Sequence, residues 1–220
     1  MLDRKAELHN AYPGYDVLAK WRSPSWNEKT REVVAARLQV PDKPQFLTLV
    51  EFEVLTAIAD RIVPQPASRS PVPVAGLLDQ KLRAGVRDGY RTAGLPGDGE
   101  AWRRGLAALN AEARVLHKRC FAAIADADQD GLLRRCEAGD LNAPEWAGMP
   151  PQTFFKHRVL RDVVLAYYSH PIAWSEVGWG GPASPRGYVR LDFNDRDPWE
   201  AAEARPGREV EARRINRNVR

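Results

Sequence analysis

Four carboxylates stand at a spacing that binds a cation: Asp126, Asp128 and Asp130, followed by Gly131, with Glu137 closing the set. The pattern D-x-D-x-D-G-x5-E is that of a calcium loop. It places oxygen ligands at the first, third, fifth and twelfth positions and a glycine where the chain turns sharply. Leu133 fills the apolar eighth place. The surroundings are less favourable, because Arg134 and Arg135 set two cations beside a site that depends on negative charge. Gly139, Asn142 and Pro144 also stop the exiting helix such a loop needs, and no second loop is present to pair with it. The plainer reading is a short helix at about 128–138, capped by Asp126 or Asp128 and stopped by Gly139, with Leu132, Leu133 and Cys136 facing inward. A calcium-binding, EF-hand-like interaction module over Asp126–Glu137 stands as the alternative function.

Other constellations are thinner. His117 and Cys120 share a helical face, but zinc wants four ligands and Cys136 is the only third. Whether Cys120 and Cys136 pair is open, since only the geometry of their Cβ atoms decides it. His170, before Pro171, has the chemistry of a general base, yet no nucleophile or acid is marked out beside it; its imidazole reads as a hydrogen-bonding group in a turn. The glycines of GWGG and GLPGDG lack the strand before and helix after that make a phosphate cradle. G-x-G-x-x-G, C-x-x-C-H and the P-loop are all missing from the chain. No catalytic residue and no cofactor is therefore assigned here, and a binding or accessory role is favoured over an enzyme.

The elements that position these residues are helical. A short pattern covers about 28–38. Thr48 and Glu51 form a capping box ahead of Leu49, Phe52, Leu55, Ile58, Ala59 and Ile62, and Pro64 ends the run. Val74–Arg83 is amphipathic and stops near Gly85. A longer helix begins near Asp98–Glu100 with Trp102, Leu106, Leu109, Ala113 and Leu116 as its core stripe. Pro150-Pro151 leads into TFFKHRVLRDVVLAYYSH, where Phe155, Val159, Val163 and Ala166 line one side and Phe154, Leu160, Leu165 and Tyr168 widen it. Val189–Phe193 is the one candidate strand. The expected fold is all-α: a small irregular helical domain with long extended arms at both ends. The expected divisions are an aromatic-rich N-terminal arm at 1–47, a helical core at 48–170, a Gly/Pro/Trp-rich extended segment at 171–204 and a basic tail at 205–220.

The stretch YYSHPIAWSEVGWGGPASPRGY, Tyr167–Tyr188, holds too much Gly and Pro for a helix and lacks the alternation of a half-buried strand. An apolar segment that cannot pair its own backbone lies against something, either this chain's core or another protein. Its large aromatics and guanidinium are the side chains that anchor interfaces. The expected partner-facing residues are Tyr168, His170, Pro171, Trp174, Trp179, Gly180, Gly181, Pro182, Arg186 and Tyr188.

Composition excludes several classes. At 44% hydrophobic and 28% charged, the 220 residues read as a folded chain, with no apolar run near the roughly 18 residues of a membrane span. The net charge of +4 resides in 205–220, where six Arg face Glu209 and Glu211; the first 204 residues balance at 27 against 27. Basicity confined to a tail gives no folded basic face, so nucleic acid is not the expected partner. The start, MLDRKAELHN, shows neither an apolar stretch nor a twin arginine.

Three blocks in order carry a resemblance: IADRIVPQ, then MPPQTFFKHRVLRDVVLAYYSHP, then AWSEVGWGGPASPRGYVR. Over roughly residues 48–200 the chain resembles the gluconate 2-dehydrogenase subunit 3 family, small subunits of membrane-linked FAD-dependent sugar and polyol dehydrogenases. The resemblance implies a subunit without its own cofactor. Its implied partner is a large flavoprotein of the glucose–methanol–choline (GMC) type that carries FAD, often joined by a multi-haem cytochrome c subunit. The implied role is to help that large subunit fold, assemble and be exported. Family members often bear a twin-arginine signal; without one in this chain, the expectation is a periplasmic location only by export with the partner, and a cytoplasmic one otherwise.

Overall fold

A computed structural model describes residues 11–41, 43–67, 69–86, 89, 92–185, 187 and 196–220. Among them all regular structure is helical, with nine α-helices and no strand. The candidate strand at 189–193 lies outside the described residues. The chain forms two compact units, one from 40–167 and one from both ends, 1–39 with 168–220.

In the 40–167 unit the capping box expected from sequence starts the first helix. The Thr48 hydroxyl accepts from the Glu51 amide at 3.3 Å, while the Glu51 carboxylate accepts from the Thr48 amide at 2.8 Å, and this opens α2 (Leu49–Ile62). α2 buries Val54, Leu55, Ile58 and Ala59. Leu49, placed by sequence on the core stripe, is 69% exposed, because the first turn beside the cap points away from the core. α3 (Val74–Ala84) buries Asp79, whose carboxylate accepts from three successive amides of the incoming loop, Gln45 at 2.5 Å, Phe46 at 3.1 Å and Leu47 at 2.8 Å. Those bonds satisfy a loop that has no ladder of its own.

α4 (Asp98–His117) follows its expected stripe through Trp102, Leu106, Leu109 and Ala113, but Leu116 is exposed. Gly105 sits on the same face, where a Cβ would collide with the Phe154 ring, so a glycine is required for the two helices to approach. Trp102 and Trp146 both meet Phe154 edge-to-face, with centroids 5.4 and 5.7 Å away. Two buried side chains tie loops to this layer: Asn110 accepts from the Phe121 amide, and Glu112 from the amides of Asn142 and Ala143. α5 (Asp126–Ala138) ends at Gly139 in the left-handed conformation, φ 83°.

The last helix of this unit is interrupted. α6 (Pro151–Phe154) continues through a π-helical segment, Phe155–Leu160, into α7 (Arg161–Ser169). The wider π turn stretches the buried stripe to every fourth residue, in pairs: Phe154 and Phe155, Arg158 and Val159, Asp162 and Val163, then Tyr167. Leu160 and Leu165, expected to widen the apolar face, are exposed for that reason. Arg158 is held inside by Asp98 at 3.0 Å and Asp162 at 3.2 Å, and the Trp102 indole N–H donates to Asp162 at 3.0 Å. A buried cation is tolerated only when paired in this way.

The second unit joins distant stretches. A 3-10 helix at Val17–Arg22, α1 (Glu28–Leu38), α8 (Pro171–Trp174) and α9 (Glu209–Asn216) surround Tyr15, Val17, Trp26, Val34, Trp174 and Val219. Polar ties run between the ends. Asn216 accepts from the Ala202 amide at 2.7 Å and donates to the carbonyls of Pro13 and Ala202. Ser25 donates to the Arg220 carbonyl and Thr30 to the Ser184 carbonyl. In α9 the acidic Glu209 and Glu211 stand in the first turn and Arg213 and Arg214 in the last, complementing the helix dipole.

Candidate functional site

Helix α5 contains all four carboxylates of the calcium pattern. At 1.5 Å per residue, Asp126 and Glu137 stand about 16 Å apart along its axis, whereas a calcium loop must curl its ligands around one point. The expected side-chain cap is also not formed: Ala125 is the N-cap, and Asp126 and Asp128 lie in the first turn. Asp126 and Asp130, four residues apart on one face, both engage Arg61, the latter at 2.9 Å. Asp128 stands 3.7 Å from His117 Nδ1. Among the described residues no group of three or more His, Cys, Asp or Glu side chains is arranged to hold a metal ion. Cys120 and Cys136 are both free thiols. Cys136 donates to the Pro151 carbonyl at 3.4 Å; its burial, and then the charge of Glu112, push its thiol up to about 12.

The Gly/Pro/Trp-rich segment is placed by α8 and its flanks. His170 is the N-cap of α8, and its Nδ1 accepts from the Ile172 amide at 3.4 Å, the turn role read from sequence. Pro171 occupies the first helical turn, where its missing N–H costs nothing. Trp174 is buried, donates to the Tyr168 carbonyl at 2.8 Å and has the Arg37 guanidinium 5.6 Å from its ring. Trp179 stands edge-to-face on Trp174 at 4.4 Å and is 40% exposed, and Tyr168 is 43% exposed. Gly178 and Gly181 have φ of 66° and 73°, and at Gly181 a Cβ would stand 2.8 Å from the Trp26 ring. Pro182 is half-buried. Of the ten expected partner-facing residues, His170, Pro171, Trp174 and Gly181 are thus packed inside this unit, and Tyr168 and Trp179 reach the surface. Arg186 and Tyr188 lie outside the described residues.

Trp179, Gly180 and Gly181 line one wall of an open cavity of about 820 Å³. Tyr12, Asp197 and Trp199 line it as well, and none of the three was singled out by the sequence as a cavity residue. Lys20 fastens two of its walls: fully buried in the 3-10 helix, its Nζ donates to the Gly180 carbonyl at 3.3 Å and the Trp199 carbonyl at 2.5 Å. A buried lysine that neutralises carbonyl dipoles leaves no periodic trace in sequence, which is why it went unmarked.

No helix of the described residues is long and apolar enough to cross a membrane. A family model described as gluconate 2-dehydrogenase subunit 3 matches residues 50–181, which run from the first turn of α2 to the glycines of the cavity wall. No curated protein and no solved structure matches the chain.

Proposed function

Because the chain belongs to the gluconate 2-dehydrogenase subunit 3 family, small subunits of dehydrogenase complexes, we propose that it is a non-catalytic accessory subunit of a GMC-type flavoprotein. It binds the FAD-containing large subunit and stabilises that chain during folding and assembly. Substrate oxidation and FAD belong to the large subunit, so electrons pass from a sugar or alcohol to flavin without touching this chain.

The observation that carries the reading is the extent of the family match, 50–181, which takes in the helical layer and most of the expected partner-facing segment. Exposed aromatics support it. Trp179 and Tyr168 each keep about two-fifths of their surface in solvent, and large rings left in solvent are the usual anchors of an interface. The segments at both chain ends are proposed to lie along the large subunit there.

The test is expression of the large subunit with and without this chain. With it, the flavoprotein should be soluble and carry stoichiometric flavin by absorbance. Without it, the large subunit should be insoluble or flavin-poor. A soluble, fully flavinylated large subunit made alone would overturn the proposal.

A further inference from the structure

Helix α9 presents a folded basic face, and we infer that this face binds the surface of an anionic phospholipid bilayer. The chain's excess of positive charge lies at 205–220, and that stretch is built around α9. One side of the helix is docked: Ala212, Asn216 and Val219 are buried and Ile215 is half-buried within the unit formed by the chain ends. Opposite them, Val210, Arg213, Arg214 and Arg217 follow the i, i+3, i+4, i+7 spacing of a single helix face. All four are exposed, Val210 at 81%, and Arg220 is exposed just beyond the helix.

The charge on that face is uncompensated. Glu211 pairs with Arg208 at 3.9 Å, and Glu209 accepts from the Gly207 amide at 3.1 Å. By helical phase both acids stand at the edges of the face, between it and the buried side. Arg213, Arg214, Arg217 and Arg220 make no side-chain hydrogen bond or ion pair among the described residues. The backbone beneath them is fixed. The Arg213 carbonyl accepts from the Arg217 amide at 3.2 Å, the Arg214 carbonyl from the Asn218 side chain at 3.1 Å and the Arg220 carbonyl from the Ser25 hydroxyl at 2.8 Å. Stems that start from fixed points lower the ordering cost of binding. Guanidinium groups meet phosphate oxygens in paired bonds. A convex helix face has no pocket to select one peptide side chain, and a valine set among arginines suits a layer charged at its surface and apolar beneath. Those features favour a bilayer over an acidic protein or a nucleic acid. Since the apolar side of α9 is committed to its own unit, the attraction is electrostatic, and neutral lipid should not substitute. This stretch lies outside the 50–181 family match, so lipid binding stands or falls apart from the accessory role.

The experiment sediments the full chain with vesicles of phosphatidylcholine, alone or mixed with phosphatidylglycerol. It compares the wild type, Val210→Ser and the double variant Arg214→Gln with Arg217→Gln, with folding checked by circular dichroism. The wild type should pellet with the anionic vesicles, stay in solution with the neutral ones and be released as salt rises. Each arginine at an anionic surface contributes roughly fivefold, so the double variant should bind about thirtyfold more weakly. Val210→Ser should weaken binding by less. Should the double variant fold poorly, the lipid and salt dependence of the wild type decides. Equal binding to both kinds of vesicle, binding to neither, or a double variant within about twofold of wild type would overturn the inference. Polyglutamate or duplex DNA bound as tightly as the anionic vesicles would overturn the choice of lipid. A double variant that loosens only the complex with the large subunit would assign the face to that protein instead.

Discussion

At the scale of single residues, Cys136 shows how placement sets chemistry. The thiolate, not the thiol, reacts with alkylating agents, and raising the thiol from 9.0 to about 12 removes nearly all of it at neutral pH. Native protein treated with a chromogenic disulfide reagent should therefore release one equivalent from half-exposed Cys120. Cys136 should react on the order of a thousandfold more slowly until denaturant is added. The pH dependence has a definite sign. The folded thiol ionises above the unfolded one, so this group's stabilisation is complete below about pH 9 and is lost as pH rises toward 12. Alkaline denaturation of Cys136→Ala should show a shallower slope in that window. Not all of this was legible in the sequence. The inward face of Cys136 followed from helical spacing, but Glu112 as its charged neighbour did not. The calcium pattern was legible and misleading, because residue spacing does not say whether a segment curls or extends, and Arg61 claims two of the carboxylates from outside the motif.

At the scale of helices, helix positions were readable because caps and breakers act locally: Thr48 with Glu51, Gly139, and the prolines before α6. Within the longest apolar stretch the register was readable at Phe154, Phe155, Val159 and Val163, which are buried, and not at Leu160, Leu165 and Tyr168, which are exposed, since a π turn changes the period without any single residue announcing it. Tertiary packing chose it by burying Arg158 and Asp162 beside Val159 and Val163. The α4–α6 contact gives a sharp test. Gly105→Ala should destabilise the protein by about 1–3 kcal/mol, the usual cost of overpacking, read from urea denaturation. Adding Phe154→Leu, which removes the ring the new methyl would strike, should recover part of the loss. Two losses that simply add would show that the helices are not in contact there.

At the scale of the whole molecule, the association of the N-terminal stretch with the C-terminal one was the least legible feature. The aromatic-rich arm at 1–47 was readable as such, but contacts between residues such as Lys20 and Trp199 leave no periodic signal. Asn216 concentrates that association in one side chain. Asn216→Ala would orphan the Ala202 amide and the Pro13 and Ala202 carbonyls. The expected loss is about 2–3 kcal/mol, with earlier tryptic cleavage between residues 11 and 39 as the readout. The same arrangement has a consequence for synthesis. Trp26 leaves the ribosome almost 200 residues ahead of Val219, which shares its core. At the usual 5–20 residues per second that is roughly 10–40 s of translation. Throughout it the first aromatics stay uncovered on the nascent chain. A polypeptide released before Val219 never closes this core, so the whole 40–167 unit emerges before the unit that brackets it can be completed.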